Sequence, residues 1–257
     1  SEVQSTSLPT KLRGSLKLDK VTFSYNKFDP PIINNFSLTI HPGQRVAITG
    51  TSSSGRSTIA KLVLGLYTPQ SGTILLDDIP RASIDNETFA RSVSYVSQET
   101  NLFESSIRDN LTLWNNFIPE EQIIAAAKDA LIHSIISKHE NSYDSMVLEN
   151  GSNFSGGEGQ RLEIARALTT NPSLLILDAA TSALDTVIEK QVMDNIKQRG
   201  CSCLIIANRL SSIRDCDEII VLDKGQVVER GTHDELMKNT NGLYHQLVNI
   251  TQDKSDD

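Results

Sequence analysis

No run of 18 or more apolar residues exists in this chain, so no segment is long and hydrophobic enough to cross a bilayer as a helix. Cysteine is scarce. Cys201, Cys203 and Cys216 have no zinc-type spacing with histidine, and an odd count suits buried thiols in a reduced compartment rather than a disulfide framework. The five histidines, His41, His133, His139, His233 and His245, are scattered, which leaves serine or cysteine nucleophile chemistry without a base. Positive charge is short: 24 Lys and Arg stand against 32 Asp and Glu. A net charge of −8 and a pI near 5.2 argue against a nucleic-acid partner. There is no internal repeat and no signal-peptide pattern. The chain opens on Ser1 rather than Met, as a piece of something longer would. Residues 1–14 are aperiodic and contain Ser, Thr and Pro, which reads as a linker or N-terminal extension ahead of one domain over 15–257.

What is present is a globular composition, 38% hydrophobic and 22% charged, long enough to bury a sizeable core. Leu16–Tyr25 alternates and reads as a strand, as does Ile32–Ile40. The turn His41-Pro42-Gly43 predicts a hairpin-like link into a strand at Val46–Ile48. Further strands are expected at Thr73–Leu76, Val93–Val96, Leu174–Leu177, Leu204–Ala207 and Glu218–Leu222, the last turning through Asp223–Gln226 into Val227–Glu229. Leu174-Leu175-Ile176-Leu177 is apolar throughout, as a strand buried on both faces of a parallel sheet must be. From about 101 to 155 the apolar positions change to helical spacing, which reads as a helical insertion. Helices are expected over Glu158–Leu168, Val187–Arg199 and His233–Ile250. Strands alternating with helices imply an α/β fold with a mainly parallel sheet.

The most informative stretch is Gly50-Thr51-Ser52-Ser53-Ser54-Gly55-Arg56-Ser57-Thr58, set between an apolar strand and a helix start. Backbone N–H groups of such a loop wrap a phosphate, and the helix N-terminus adds positive partial charge. The spacing is that of the P-loop, with Arg56 where the lysine belongs. Asp178, at the end of an apolar strand, is the carboxylate expected to face a magnesium ion that bridges the phosphates. Downstream, Ser155-Gly156-Gly157-Glu158 places two glycines and a hydroxyl at a second helix start, another anion-binding end.

With Phe154-Ser155-Gly156-Gly157-Glu158 following the L-S-G-G-Q signature except for Phe154 in place of Leu and Glu158 in place of Gln, the chain resembles the nucleotide-binding domain of an ABC transporter over roughly Gly14 to Ile250. The resemblance implies a P-loop NTPase core with an antiparallel β subdomain and an inserted α-helical subdomain. It implies ATP and Mg2+ as ligands. Tyr25 would stack on adenine, Gln98 would be the Q-loop residue, and Ser182-Ala183-Leu184-Asp185 the D-loop. Ser57, Gln98 and Asp178 would meet the metal through the nucleotide, and Glu149 would be an exporter's extra coupling glutamate. The signature would cap ATP held by a second ABC ATPase domain, in a homodimer or heterodimer. The domain would sit under a transmembrane exporter domain on the cytoplasmic face of a membrane, a bacterial inner membrane by its similarity to peptide or bacteriocin exporters.

Four further letters depart from that pattern, all around the Walker-side pocket. Ala179 stands where the family carries the glutamate that activates water, and Asn208 where it carries the switch histidine. Arg56 replaces lysine and Ser53 a glycine. An alanine cannot act as a base, and an amide cannot carry a proton. These departures are expected to leave the chain's own Walker-side site catalytically impaired while its signature half stays serviceable, which favours a heterodimer. The alternative is a pseudo-ATPase module that binds little or no nucleotide and serves as a dimer partner.

Overall fold

The computed structural model describes residues 10–51, 55–207 and 209–253. Two sheets organise it. The first is antiparallel, built from β1 (Leu16–Phe23), β2 (Ile33–Ile40), β4 (Ser71–Leu76) and β5 (Ile79–Pro80) in the order β2-β1-β4-β5. The second is six-stranded and contains β3 (Arg45–Gly50), β6 (Val93–Val96), β7 (Leu174–Asp178), β8 (Ser202–Ile206), β9 (Glu218–Asp223) and β10 (Gln226–Gly231). Its order is β10-β9-β3-β8-β7-β6, parallel throughout except for the β10 edge. This is an α/β fold, and the inner parallel strands β7, β8 and β9 carry apolar runs for the reason given above: both faces are covered.

Alternation along each parallel strand divides the core into two clusters. Ala47, Leu175, Leu177, Cys203, Ile205, Ile219 and Val221 pack with the helices on one face. Val46, Ile48, Leu174, Ile176, Leu204, Ile206, Ile220 and Leu222 point to the other face, toward the antiparallel sheet and α1 (Arg56–Val63). Residues 101–155 carry α3 (Ile107–Thr112), α4 (Glu120–Asp129) and α5 (His133–Lys138), whose Ile107, Leu111, Ile123, Ala126, Ala127 and Ile136 join the first cluster. Then come α6 (Gly156–Leu168) and α7 (Thr186–Gln198).

Three readings from sequence are corrected. His41-Pro42-Gly43 does not close a hairpin: β2 lies in the antiparallel sheet and β3 at the centre of the other, between β8 and β9. A local turn signal reports the bend, and the fully buried apolar β3 can only be satisfied between two parallel neighbours. The C-terminal helical stretch is two helices, α8 (His233–Met237) and α9 (Leu243–Asp253), with a break that contains Gly242. And α6 begins at Gly156, because Ser155 and Glu158 form a capping box two residues earlier than the apolar pattern suggests. Helix α2 (Asn86–Ser92), capped by Asp85, was not anticipated.

Candidate functional site

β3 delivers the chain at Gly50, and α1 begins six residues later at Arg56. Ser52, Ser53 and Ser54, in between, lie outside the described residues, as does Asn208. Gly55 occupies the cap of α1 at φ 89°, and a Cβ there would meet the Ile32 carbonyl at 2.8 Å, so the position demands glycine. The first turn of α1 holds no acidic residue of its own. Thr51 hydrogen-bonds Asp223 at 3.2 Å, tying the loop to the end of β9.

The ends of β3, β6, β7 and β8 bring together residues 83 to 151 positions apart. The Ser57 hydroxyl donates to Asp178 Oδ1 at 3.2 Å, and the Tyr95 hydroxyl donates to Oδ2 at 3.3 Å. Burial raises the Asp178 pKa from its usual value, and the two hydroxyls and the charges of Arg56 and Lys61 only partly offset this. The same burial, with the neighbouring Asp178 charge, pushes Tyr95 up to about 12. A hydroxyl beside a carboxylate is a donor set that fits magnesium, with Ser57 and Asp178 as the residues that would hold it. Arg56 donates to the Ala207 carbonyl at 2.6 Å, and burial lowers its pKa despite the pull of Asp178. The guanidinium is therefore bonded to the residue that precedes position 208.

Ala179 follows in a left-handed conformation, φ 52°, with its N–H on the Ile206 carbonyl. Ala179 itself has no acceptor side chain. Gln98 is exposed two residues beyond β6, whose last pair with β7 is Val96 and Leu177. Tyr25 is 48% exposed, and its hydroxyl shares a 2.9 Å hydrogen bond with Thr58 Oγ1. Glu149 is exposed in a short 3-10 turn.

The second helix start is built differently. Ser155 Oγ accepts from the Glu158 N–H at 3.1 Å, and Glu158 Oε1 accepts from the Ser155 N–H at 2.8 Å. Gly157 faces the Ala183 carbonyl so closely that a Cβ would lie 3.1 Å from it. Gln160, 3% exposed, donates to Ser182 Oγ at 2.9 Å and accepts from the Ala183 N–H at 2.8 Å. Asp185 then caps α7 through the Ile188 N–H. Residues 182–185 are thus fastened to α6. From the other side Arg209 donates to the carbonyls of Thr181 and Leu184 and to Glu189 Oε2, while its Nε is buried without a partner among the described residues. Gln160, Arg209 and Glu189 were not singled out from sequence; a glutamine on the buried side of a helix was the one available signal. The two helix starts make no hydrogen bond to each other among the described residues: none joins Ser155–Glu158 to Gly50, Thr51 or Gly55–Thr58.

Comparison with known proteins agrees with this layout. The family model described as ABC transporter matches residues 33–182. The exotoxin translocation ATP-binding protein PaxB of Pasteurella aerogenes is 44% identical over 243 residues, 94% of this chain and 34% of that protein. The leukotoxin export ATP-binding protein LtxB of Aggregatibacter actinomycetemcomitans is 43% identical over 248 residues, 95% of this chain and 35% of that protein. The chain thus spans about a third of the length of these curated relatives. A solved structure of a bacterial Atm1-family ABC exporter with ATP bound superposes with a TM-score of 0.88 at 35% identity, covering 98% of this chain and 44% of that one.

Proposed function

The chain belongs to the ABC transporter family as an ATP-binding domain, and from that premise we propose that it serves a bacterial exporter as the catalytically impaired member of an asymmetric pair. Its substrate class is peptide or protein, in keeping with the toxin translocation named for its relatives. The domain docks beneath a transmembrane partner at the cytoplasmic face. ATP and magnesium meet Gly50–Thr58, Asp178 and Gln98, with adenine on Tyr25. Ser155, Gly156, Gly157 and Glu158 complete the site of a second, intact ATPase domain, and Ser182–Asp185 cross the interface to it.

One observation carries the reading. The turn after Asp178 places Ala179, which has no base, at the end of the strand that would hold the metal, while Ser155 keeps a fully formed helix start. Loss of a positioned base lowers a rate by roughly 10²- to 10⁴-fold. Asp178, Ser57 and the α1 N-terminus still supply binding, so the chain holds nucleotide and turns it over slowly. ATP and magnesium supply the phosphoryl group and its charge neutralisation; this chain's residues bind, orient and shield. Turnover by the purified chain, with the intact partner added in a second arm, tests the proposal. Near-absent activity alone and one competent site in the mixture are expected.

A second reading has its own support. Arg56 is bonded to Ala207, and both carboxylate oxygens of Asp178 are bonded to hydroxyls. A pocket whose polar groups are satisfied internally has less to gain from a ligand. On that reading the chain is a dimerisation module with little nucleotide affinity. Calorimetric titration with ATP separates the two.

A further inference from the structure

Tyr25 sits beyond the end of β1, where a side chain would ordinarily be loose, yet three separate contacts fix it. Its ring meets Phe23 at 5.0 Å and 83°, and Tyr67 at 5.1 Å and 86°. Its hydroxyl is tied to Thr58 in α1. The backbone beside it is clamped as well. Gln70 accepts from the Ser24 N–H at 2.8 Å and donates to the Ser24 carbonyl at 2.8 Å and to Ser24 Oγ at 3.0 Å. The Gln70 N–H reaches back to the Thr22 carbonyl at 2.9 Å. Tyr67 and Gln70 belong to one short turn between α1 and β4. That turn is itself anchored, because Arg81 donates to the carbonyls of Val63 and Leu64 at the end of α1 and lies 3.7 Å over the Phe89 ring.

Both neighbouring rings approach Tyr25 near-perpendicularly, so neither stacks flat against it, and 48% of the residue stays open. Edge contacts of this kind fix ring orientation while leaving a π-face for a flat ligand. We propose that the turn containing Tyr67 and Gln70 is the positioning device for Tyr25, holding its ring in the plane against which a purine stacks. The proposal rests on the reading that this pocket takes ATP. Tyr67 and Gln70 are positioning residues: they act through Tyr25 and need not touch the nucleotide. A base that stacks on a pre-oriented ring loses less entropy on binding than one that must order the loop first.

The consequence is selective. ATP has a base to stack; inorganic tripolyphosphate carries the same run of phosphates without one. Tyr67→Leu removes the ring edge and Gln70→Leu removes the clamp on Ser24, the second at an exposed position. Each is expected to weaken ATP binding by about three- to tenfold, the scale of one aromatic contact, with tripolyphosphate affinity changed by less than about twofold. Tyr67→Phe keeps the ring and should restore ATP affinity. Calorimetric titrations of the full chain with each ligand and magnesium, with melting curves to check the fold, measure this. Equal losses for ATP and tripolyphosphate, or ATP affinity untouched in both leucine variants, overturn the proposal while leaving the ATP-binding reading in place. Failure of ATP to bind the unaltered chain overturns both.

Discussion

Glu189→Ala should destabilise the domain out of proportion to its single carboxylate. Glu189 is 2% exposed, and its two oxygens accept from Arg209 at 2.8 Å and from Ser211 at 3.3 Å. The substitution removes both acceptors and leaves a guanidinium that already has one buried nitrogen without a partner among the described residues. Breaking a fully buried ion pair by deleting one partner costs about 3–5 kcal/mol. Arg209 retains the carbonyls of Thr181 and Leu184, and its side chain is 31% exposed, so solvent takes up part of the loss. The expected penalty is therefore about 2–3 kcal/mol. At roughly 2–4 °C per kcal/mol for a domain of this size, the melting temperature should fall by about 4–12 °C. Glu189→Gln keeps the volume and one acceptor and should lose less than half as much. Thermal melting followed by circular dichroism, supported by urea titration at matched m-value, reads the difference. A Glu189→Ala melting point within about one degree of the unaltered protein would show that the pair is worth no more than a surface bridge, and that residues 181–185 are not held from this side.

Other outcomes follow from the same geometry. The triple substitution Arg56→Lys, Ala179→Glu and Asn208→His should raise magnesium-dependent ATP turnover by at least about a hundredfold, the lower bound for restoring a general base; turnover unchanged in a folded, ATP-binding variant would count against the reading of Ala179. Burial raises the Asp178 pKa above its unfolded value of 3.8, so its contribution to stability is fully present below that value and is lost as pH rises through the folded value. Asp178→Asn should therefore melt higher than the unaltered, ligand-free protein at pH 7 and show a flatter pH dependence above pH 4; identical pH profiles would contradict the burial argument. Cys201 has its thiol pKa lowered by its hydrogen bond to Cys203, whereas burial pushes Cys216 up to about 12 and Cys203 also goes up. Native-state alkylation at pH 8 followed by mass spectrometry should modify Cys201 first. Faster modification of Cys216 would reverse that order.

The parallel core was legible because Leu174–Leu177 and Ile219–Leu222 are apolar without interruption, a pattern that burial on both faces explains. The Gly50–Thr58 loop was legible because glycine at a left-handed cap leaves a local mark, as Gly55 does. The partner of a strand leaves none, which is why β2 was joined to β3 although the two belong to different sheets. The capping box at Ser155 and Glu158 follows the Ser-x-x-Glu rule, yet the apolar pattern drew the helix start past it. Gln160 and Arg209 went unnoticed for a physical reason. A buried polar side chain is informative only through what it bonds, and their partners, Ser182, Ala183, Thr181 and Leu184, are distant in sequence. The same holds for Tyr67 and Gln70, which reach Tyr25 and Ser24 across more than forty residues.

Magnesium-dependent ATP turnover by the purified chain, measured at saturating ATP with binding confirmed in the same sample, tests the central claim most directly. Bound nucleotide with turnover at or near background, restored only when an intact ABC ATPase partner is added, is the predicted result. Robust turnover by the chain alone would contradict it and would mean that water is activated here without a carboxylate at position 179.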